Sequence, residues 1–152
     1  MSKSKWEIKG LSLDLPFGDS AKTILSSRLA NLLNSIDIFF KDDTEENLHD
    51  VRIALRRLRY NMELFTICFD GKKFLSFYKI IEHLQDQSGL LRDLDVLKVN
   101  INSLTINEKL KISVKIFKKI EEKRSEIKSA LKLELMKFTH SKALKNFNSL
   151  LS

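Results

Sequence analysis

One proline and four glycines punctuate 152 residues. A chain with so few helix breakers and turn formers favours long helices over an all-β fold with many turns. Apolar residues at helical spacing place a helix over about 20–40, carrying Ile24, Leu25, Leu29, Leu32, Leu33, Ile36 and Phe39. Further helices are expected over about 45–69, 72–103 and 106–138, with a shorter piece at SKALKNFNSLL. Thr44 with Asn47 is a weak capping box before the second helix, and Gly71 is a natural stop after it. Gly89 falls inside the third helix, where it marks a bend or a close-packing point. Short connections between long helices indicate an all-α antiparallel four-helix bundle.

Residues 1–18 read differently. Trp6, Ile8, Leu11, Leu13 and Leu15 come closer to alternation, with Gly10 between, which suits a short extended N-terminal arm or a weak hairpin. Pro16 and Gly18 end the arm, and Asp19 or Ser20 is placed to cap the first helix. The chain therefore divides into an arm, 1–18, and a single helical domain, 19–152.

Composition narrows the class. At 43% hydrophobic and 31% charged, the chain is neither a disordered tail nor a membrane protein. No run approaches the ~18 apolar residues of a membrane span. The opening MSKSKWEIKG has no apolar stretch behind its lysines, so no secretory leader is expected. Cys68 is the single cysteine, which agrees with a reducing compartment and a cytoplasmic location. Residues 1–104 hold fifteen basic and fifteen acidic side chains, and residues 105–152 hold twelve and five. The net charge of +7 thus comes from the last third. It suits an acidic partner, or a lysine-rich solvated helix surface.

The second helix carries the densest chemistry. In LHDVRIALRRLRY, residues 48–60, His49, Arg52, Arg56 and Arg59 follow i, i+3, i+7, i+10 and form one narrow stripe. Leu48, Val51, Leu55, Leu58, Met62 and Phe65 form a second stripe beside it. Only Asp50 and Glu63 compensate within 48–69. Like charges three and four residues apart cost a few tenths of a kcal/mol each. The ridge is either a solvated helix face or a cradle for an anion. On the fourth helix the apolar seam Ile106, Leu110, Phe117, Ile120, Ile127, Leu131, Leu135, Phe138 is interrupted by Arg124. A guanidinium there needs a carboxylate or an anionic ligand. Asp93 and Asp95 are candidate partners, and Lys128 flanks the same side one turn on. An internal bridge and a ligand contact both fit.

Two segments together resemble a known family. LHDVRIALRRLRYNMELF is similar to the signature helix of the CHAD family, the histidine-marked α-helical domains. LQDQSGLLRDLDVL is similar to that family's second signature, an L-x-x-x-x-G-x-x-R-D-x-D-V-L run on the next helix. The resemblance extends over about 20–150. It implies an all-helical fold and binding of inorganic polyphosphate on a basic surface, without catalysis. The ligand candidates it carries over are His49, Arg52, Arg56, Arg57 and Arg59 from the first motif and Arg92 from the second. Arg124 and Lys128 are added from the seam and match the family's next helix more loosely. A full family domain resembles two four-helix halves about a pseudo-two-fold axis, whereas this chain holds one half. RYNMELF and LQDQSG look like the second half and RDLDVL like the first. A homodimer that restores the two-fold groove is expected, since two-fold homodimers are the commonest oligomers. A degenerate half-domain that binds nothing is the competing account.

The chemistry suits such a ligand. Polyphosphate has charge and shape but no bases to read, and arginine offers a planar fork of donors for phosphate oxygens. A storage-granule association follows as an expectation from that ligand. No cofactor is expected. An enzyme reading would start from His49–Asp50 as part of a metal phosphohydrolase. Such sites need histidines upstream, and none precedes position 49. His83 on an apolar helix reads as a partly buried structural histidine, and Cys68 reads as core. His49, Asp93 and Asp95 lack metal-ligand spacing on any one turn, so no metal site is expected. Nucleic acid is the rival ligand, because a basic ridge suits any phosphate backbone. It is less favoured because Tyr60 is the only aromatic residue on the ridge, leaving no stacking platform. An acidic protein is a third partner class.

Overall fold

The computed structural model describes residues 8–69, 71–108 and 111–152. Helix α1 spans Phe17–Lys41, α2 Glu45–Leu64, α3 Lys72–Asn107, α4 Val114–Thr139 and α5 Lys142–Leu151, with one 3-10 turn at Thr66–Cys68 between α2 and α3. The fold is all-helical: four long antiparallel helices with α5 packed across one end.

Boundaries moved where backbone chemistry outweighed the pattern. Helix α1 begins directly after Pro16, whose fixed φ suits a helix start. No side chain caps it, so neither Asp19 nor Ser20 takes the expected role. Asp19 instead lies in the first turn, beside the positive end of the helix dipole. Thr44 does cap α2, its Oγ1 accepting from Asn47 N–H at 3.2 Å. Helix α2 stops five residues short of expectation. Thr66 Oγ1 donates to the carbonyls of Met62 and Glu63, which tightens the chain into the 3-10 turn. Gly71, at φ 99°, precedes α3 rather than ending α2. A methyl built on Gly89 meets nothing within 4 Å beyond its own helix, so this glycine is not a close-packing point. Residues 8–16 form turns rather than an extended segment, with Gly10 at φ 81°. Trp6 lies outside the described residues.

One core joins the helices. Leu25, Leu29, Leu32, Ile36 and Phe39 of α1 meet Leu48, Val51, Leu55, Leu58 and Met62 of α2. Phe74, Phe77, Ile81, Leu84 and Leu91 of α3, with Leu131, Leu135 and Phe138 of α4, close the other side. Phe147 of α5 stacks on Phe77 at 3.9 Å between ring centroids, and Phe138 lies 5.7 Å from the same ring. That end of the bundle is an aromatic plug. Cys68 packs half-buried against it, whereas His83 is exposed rather than structural.

Helix α3, with 36 residues, is about 54 Å long at the usual rise. Its buried residues stop at Leu91. Beyond that, α3 and the start of α4 leave the bundle as a hairpin. Ile106, expected on the seam of the fourth helix, lies on α3 and is 76% exposed. Leu110 is outside the described residues. No helix is long and apolar enough to cross a membrane among the described residues.

Candidate functional site

The antiparallel order of α2 and α3 sets the first part of α2 against the later part of α3. His49 and Arg52 thereby share a small concavity with Arg92 and Asp95, floored by Leu48 and flanked by Glu45. Val51 and Leu55 are fully buried in the core, which fixes the rotation of α2 and turns Arg52 to the α3 side. Arg52 is half-buried, while His49, Arg56 and Arg92 are exposed. Burial holds the Arg52 guanidinium below its ordinary value, and the Arg92 charge across the seam adds to that. Asp93 and Asp95 act in the opposite direction as weaker influences. Arg56 continues the line one turn on, its guanidinium 5.7 Å from the Tyr60 ring. Among the described residues, His49, Arg52, Arg56 and Arg92 make no side-chain hydrogen bond or ion pair with any other side chain.

Arg59 stands on the same stripe but is fully engaged. Its Nε donates to Glu63 Oε1 at 3.1 Å and to the Tyr78 hydroxyl at 3.2 Å. Its terminal nitrogens donate to Gln85 at 3.3 Å and Glu82 at 3.2 Å. Tyr78 closes the network by donating to Glu63 at 2.6 Å. These partners hold the guanidinium above its ordinary value, the Tyr78 hydrogen bond being the largest influence.

Arg124 resolves into an internal bridge. Its Nε donates to Asp95 at 2.7 Å and its NH2 to Glu45 at 3.2 Å. The Arg124 and Asp95 side chains are each 16% exposed. Lys128 donates to the Asp43 backbone carbonyl at 2.8 Å and pairs with its carboxylate at 3.2 Å. Lys132 pairs with the same carboxylate. These α4 cations pin the α1–α2 loop to the bundle. Arg124 also occupies Asp95, which lines the concavity beside Arg52 and Arg92, while Asp93 still acts on Arg52.

Arg57 is turned away from the ridge by one 100° step. It lines a cleft between α2 and α1, together with Arg28 of α1. Of the eight candidates read from sequence, the fold gathers His49, Arg52, Arg56 and Arg92 along one open edge. It places Arg59, Arg124 and Lys128 in internal pairs and Arg57 on another flank. The partners Tyr78, Glu82 and Gln85 were missed. Their signal was a polar set one turn apart on the helix that faces Arg59. Arg28 was also missed, although no acid stands three or four residues from it on α1.

This open edge brings one imidazole and three guanidinium groups together. Among the described residues, no cluster of three or more His, Cys, Asp or Glu side chains could hold a metal ion. No curated protein and no solved structure matches the chain. The family model for the CHAD domain does match, over residues 4–102. The match takes in α1, α2 and most of α3, including every residue of the open edge, and ends before Arg124 and Lys128. With well over half of its length matched, the chain belongs to the CHAD domain family.

Proposed function

We propose that the protein binds inorganic polyphosphate, or a similar linear polyanion, along the open edge of α2 and α3, without catalysis. The family is associated with polyphosphate binding in general. One observation carries the reading for this chain: Arg52, Arg56 and Arg92 lie along one edge with no acid paired to any of them among the described residues. Holding Arg52 and Arg92 together costs free energy through desolvation and mutual repulsion, and a bound phosphate offsets both. Rigid helices keep the forks at set intervals, which lowers the ordering cost of binding. His49 at the end of the line donates to a phosphate oxygen. Arg59, Arg124 and Lys128 support the edge from within and leave the contact set, as does Arg57.

The test is a titration with long-chain polyphosphate beside duplex DNA and RNA at equal phosphate concentration, repeated across salt. Polyphosphate binding that falls steeply with salt through counterion release supports the reading. Displacement of polyphosphate by nucleic acid overturns it in favour of the rival ligand. Tyr60 is the aromatic residue beside Arg56, so single strands gain little stacking.

We further infer that two copies pair to extend the edge into a groove. The apolar strip on the projecting hairpin supports this, with Val99 62%, Ile106 76% and Val114 80% exposed. Light scattering that gives a monomer at micromolar concentration removes the pairing. A cytoplasmic site at polyphosphate granules follows from the ligand, and co-sedimentation with granules checks it.

A further inference from the structure

The flank of α2 opposite the open edge carries a second concentration of positive charge. A cleft of about 270 Å³ lies there between helices α1 and α2. Arg28, Asn31, Asn34 and Ser35 line it from α1, and Arg57 and Asp50 from α2. Arg28 is the unusual member. Its Nε is shut off from solvent and has no hydrogen-bond partner. None of its other donors is hydrogen-bonded or ion-paired among the described residues. Burial lowers the pKa of this guanidinium, and the Arg57 charge lowers it further. A buried charged donor without an acceptor is among the more expensive arrangements a fold can keep.

The surrounding groups say what would relieve that cost. Arg28, Asn31 and Asn34 follow one another at three-residue spacing, so they share a face of α1. The Asn31 and Asn34 carboxamides make no side-chain hydrogen bond among the described residues. Ser35 already donates its hydroxyl to the Asn31 carbonyl at 2.9 Å, which leaves its oxygen as an acceptor. Asp50 is exposed at the mouth, the acidic side chain that lines the cleft among the described residues. The cleft is concave and rich in donors, with Ile38, Ile53 and Ala54 completing its wall. It has room for one small oxyanion with its waters but not for a chain lying lengthwise.

We propose that the α1–α2 cleft is a second anion site, separate from the α2–α3 edge, that takes a single phosphoryl group between Arg28 and Arg57. The group arrives either as free inorganic phosphate or as the end of a phosphate monoester. Two forks approaching from facing helices suit the several oxygens of one phosphoryl group. The Arg28 guanidinium supplies the inner donors, and the Asn31 and Asn34 amides supply the outer ones. Occupation ties α1 to α2 on the side away from α4.

The test follows the Arg28 Nε–Hε and Asn side-chain signals by NMR on the full chain, at fixed ionic strength set with chloride. Inorganic phosphate and phenyl phosphate are titrated separately. Saturable shifts with inorganic phosphate identify the free ion as a ligand. Saturation by the monoester alone identifies an end group. Linear drift with both overturns the site, as does equal saturation by chloride. Arg28→Gln should weaken phosphate binding about tenfold, the loss of one charge-assisted contact. Asp50→Asn should tighten it a few-fold by removing an acid at the mouth, and provides the test if Arg28→Gln fails to fold. An unchanged affinity in Asp50→Asn would overturn the assignment in that case. Arg52→Ala with Arg92→Ala should leave phosphate binding unchanged while polyphosphate binding falls. Loss of both together would assign the phosphate to the open edge instead.

Discussion

Arg52 and Arg59 occupy one stripe of one helix, seven residues apart, and the fold treats them oppositely. Arg59 faces the part of α3 that carries Tyr78, Glu82 and Gln85, and every arm of its guanidinium is taken. Arg52 faces the part that carries Arg92, and the charge it meets first is repulsive. The difference lies in the neighbouring helix rather than in α2. Periodicity along a helix says which side chains share a face, but what that face meets is set by the facing helix. A basic stripe can therefore be half structural and half available to a ligand.

The sharpest way to break this comparison is to remove the open pair. Arg52→Ala combined with Arg92→Ala should cost about 3 kcal/mol of polyphosphate binding, roughly a hundredfold in Kd. Melting should stay level or rise, because a repulsive pair has gone. A loss under about threefold in a calorimetric titration would place the ligand elsewhere. Next in size is Arg124→Ala, expected to lower unfolding free energy by about 2 kcal/mol, because Asp95 is left half-buried without its cation. Urea denaturation measures that loss. Freed Asp95 should also pair with Arg52 or Arg92 and reduce polyphosphate affinity a few-fold.

Arg59→Ala tests the closed half of the stripe. Its network is partly exposed, so the expected loss of stability is smaller, about 1–2 kcal/mol. Polyphosphate affinity of the folded variant should stay within about twofold. A tenfold drop without loss of stability would return Arg59 to the contact set and erase the contrast.

The smallest effect concerns acid. Hydrogen bonds from Lys132 and then Lys128 hold the Asp43 carboxyl below its ordinary value of 3.8. Its folded pKa is depressed, so its contribution is complete above that ordinary value and is lost as pH falls through the folded one. At neutral pH, wild type should melt slightly above Asp43→Asn. The gap should close as pH drops below about 3.8. The absence of a gap at neutral pH would mean the loop is held by the Asp43 backbone carbonyl contact to Lys128 instead.

Sequence alone determined the helical class, the approximate helices and the family, because these rest on local terms. Scarce Gly and Pro, 3.6-residue periodicity and two short motifs each act within one or two helices. The Arg124 interruption was equally visible as an oddity, but its meaning waited on Asp95, 29 residues away. Tertiary structure decided which cations are engaged. That depends on the register of α3 and α4 against α2, which is fixed by burial of residues such as Val51, Leu58, Phe77 and Leu135 far from the charges. The packing of α1 on α2 turned Arg57, a motif residue, toward Arg28 and away from the open edge. Charge is written residue by residue, whereas solvation and pairing belong to the packed neighbourhood, and the two agree only where the core has set the helices.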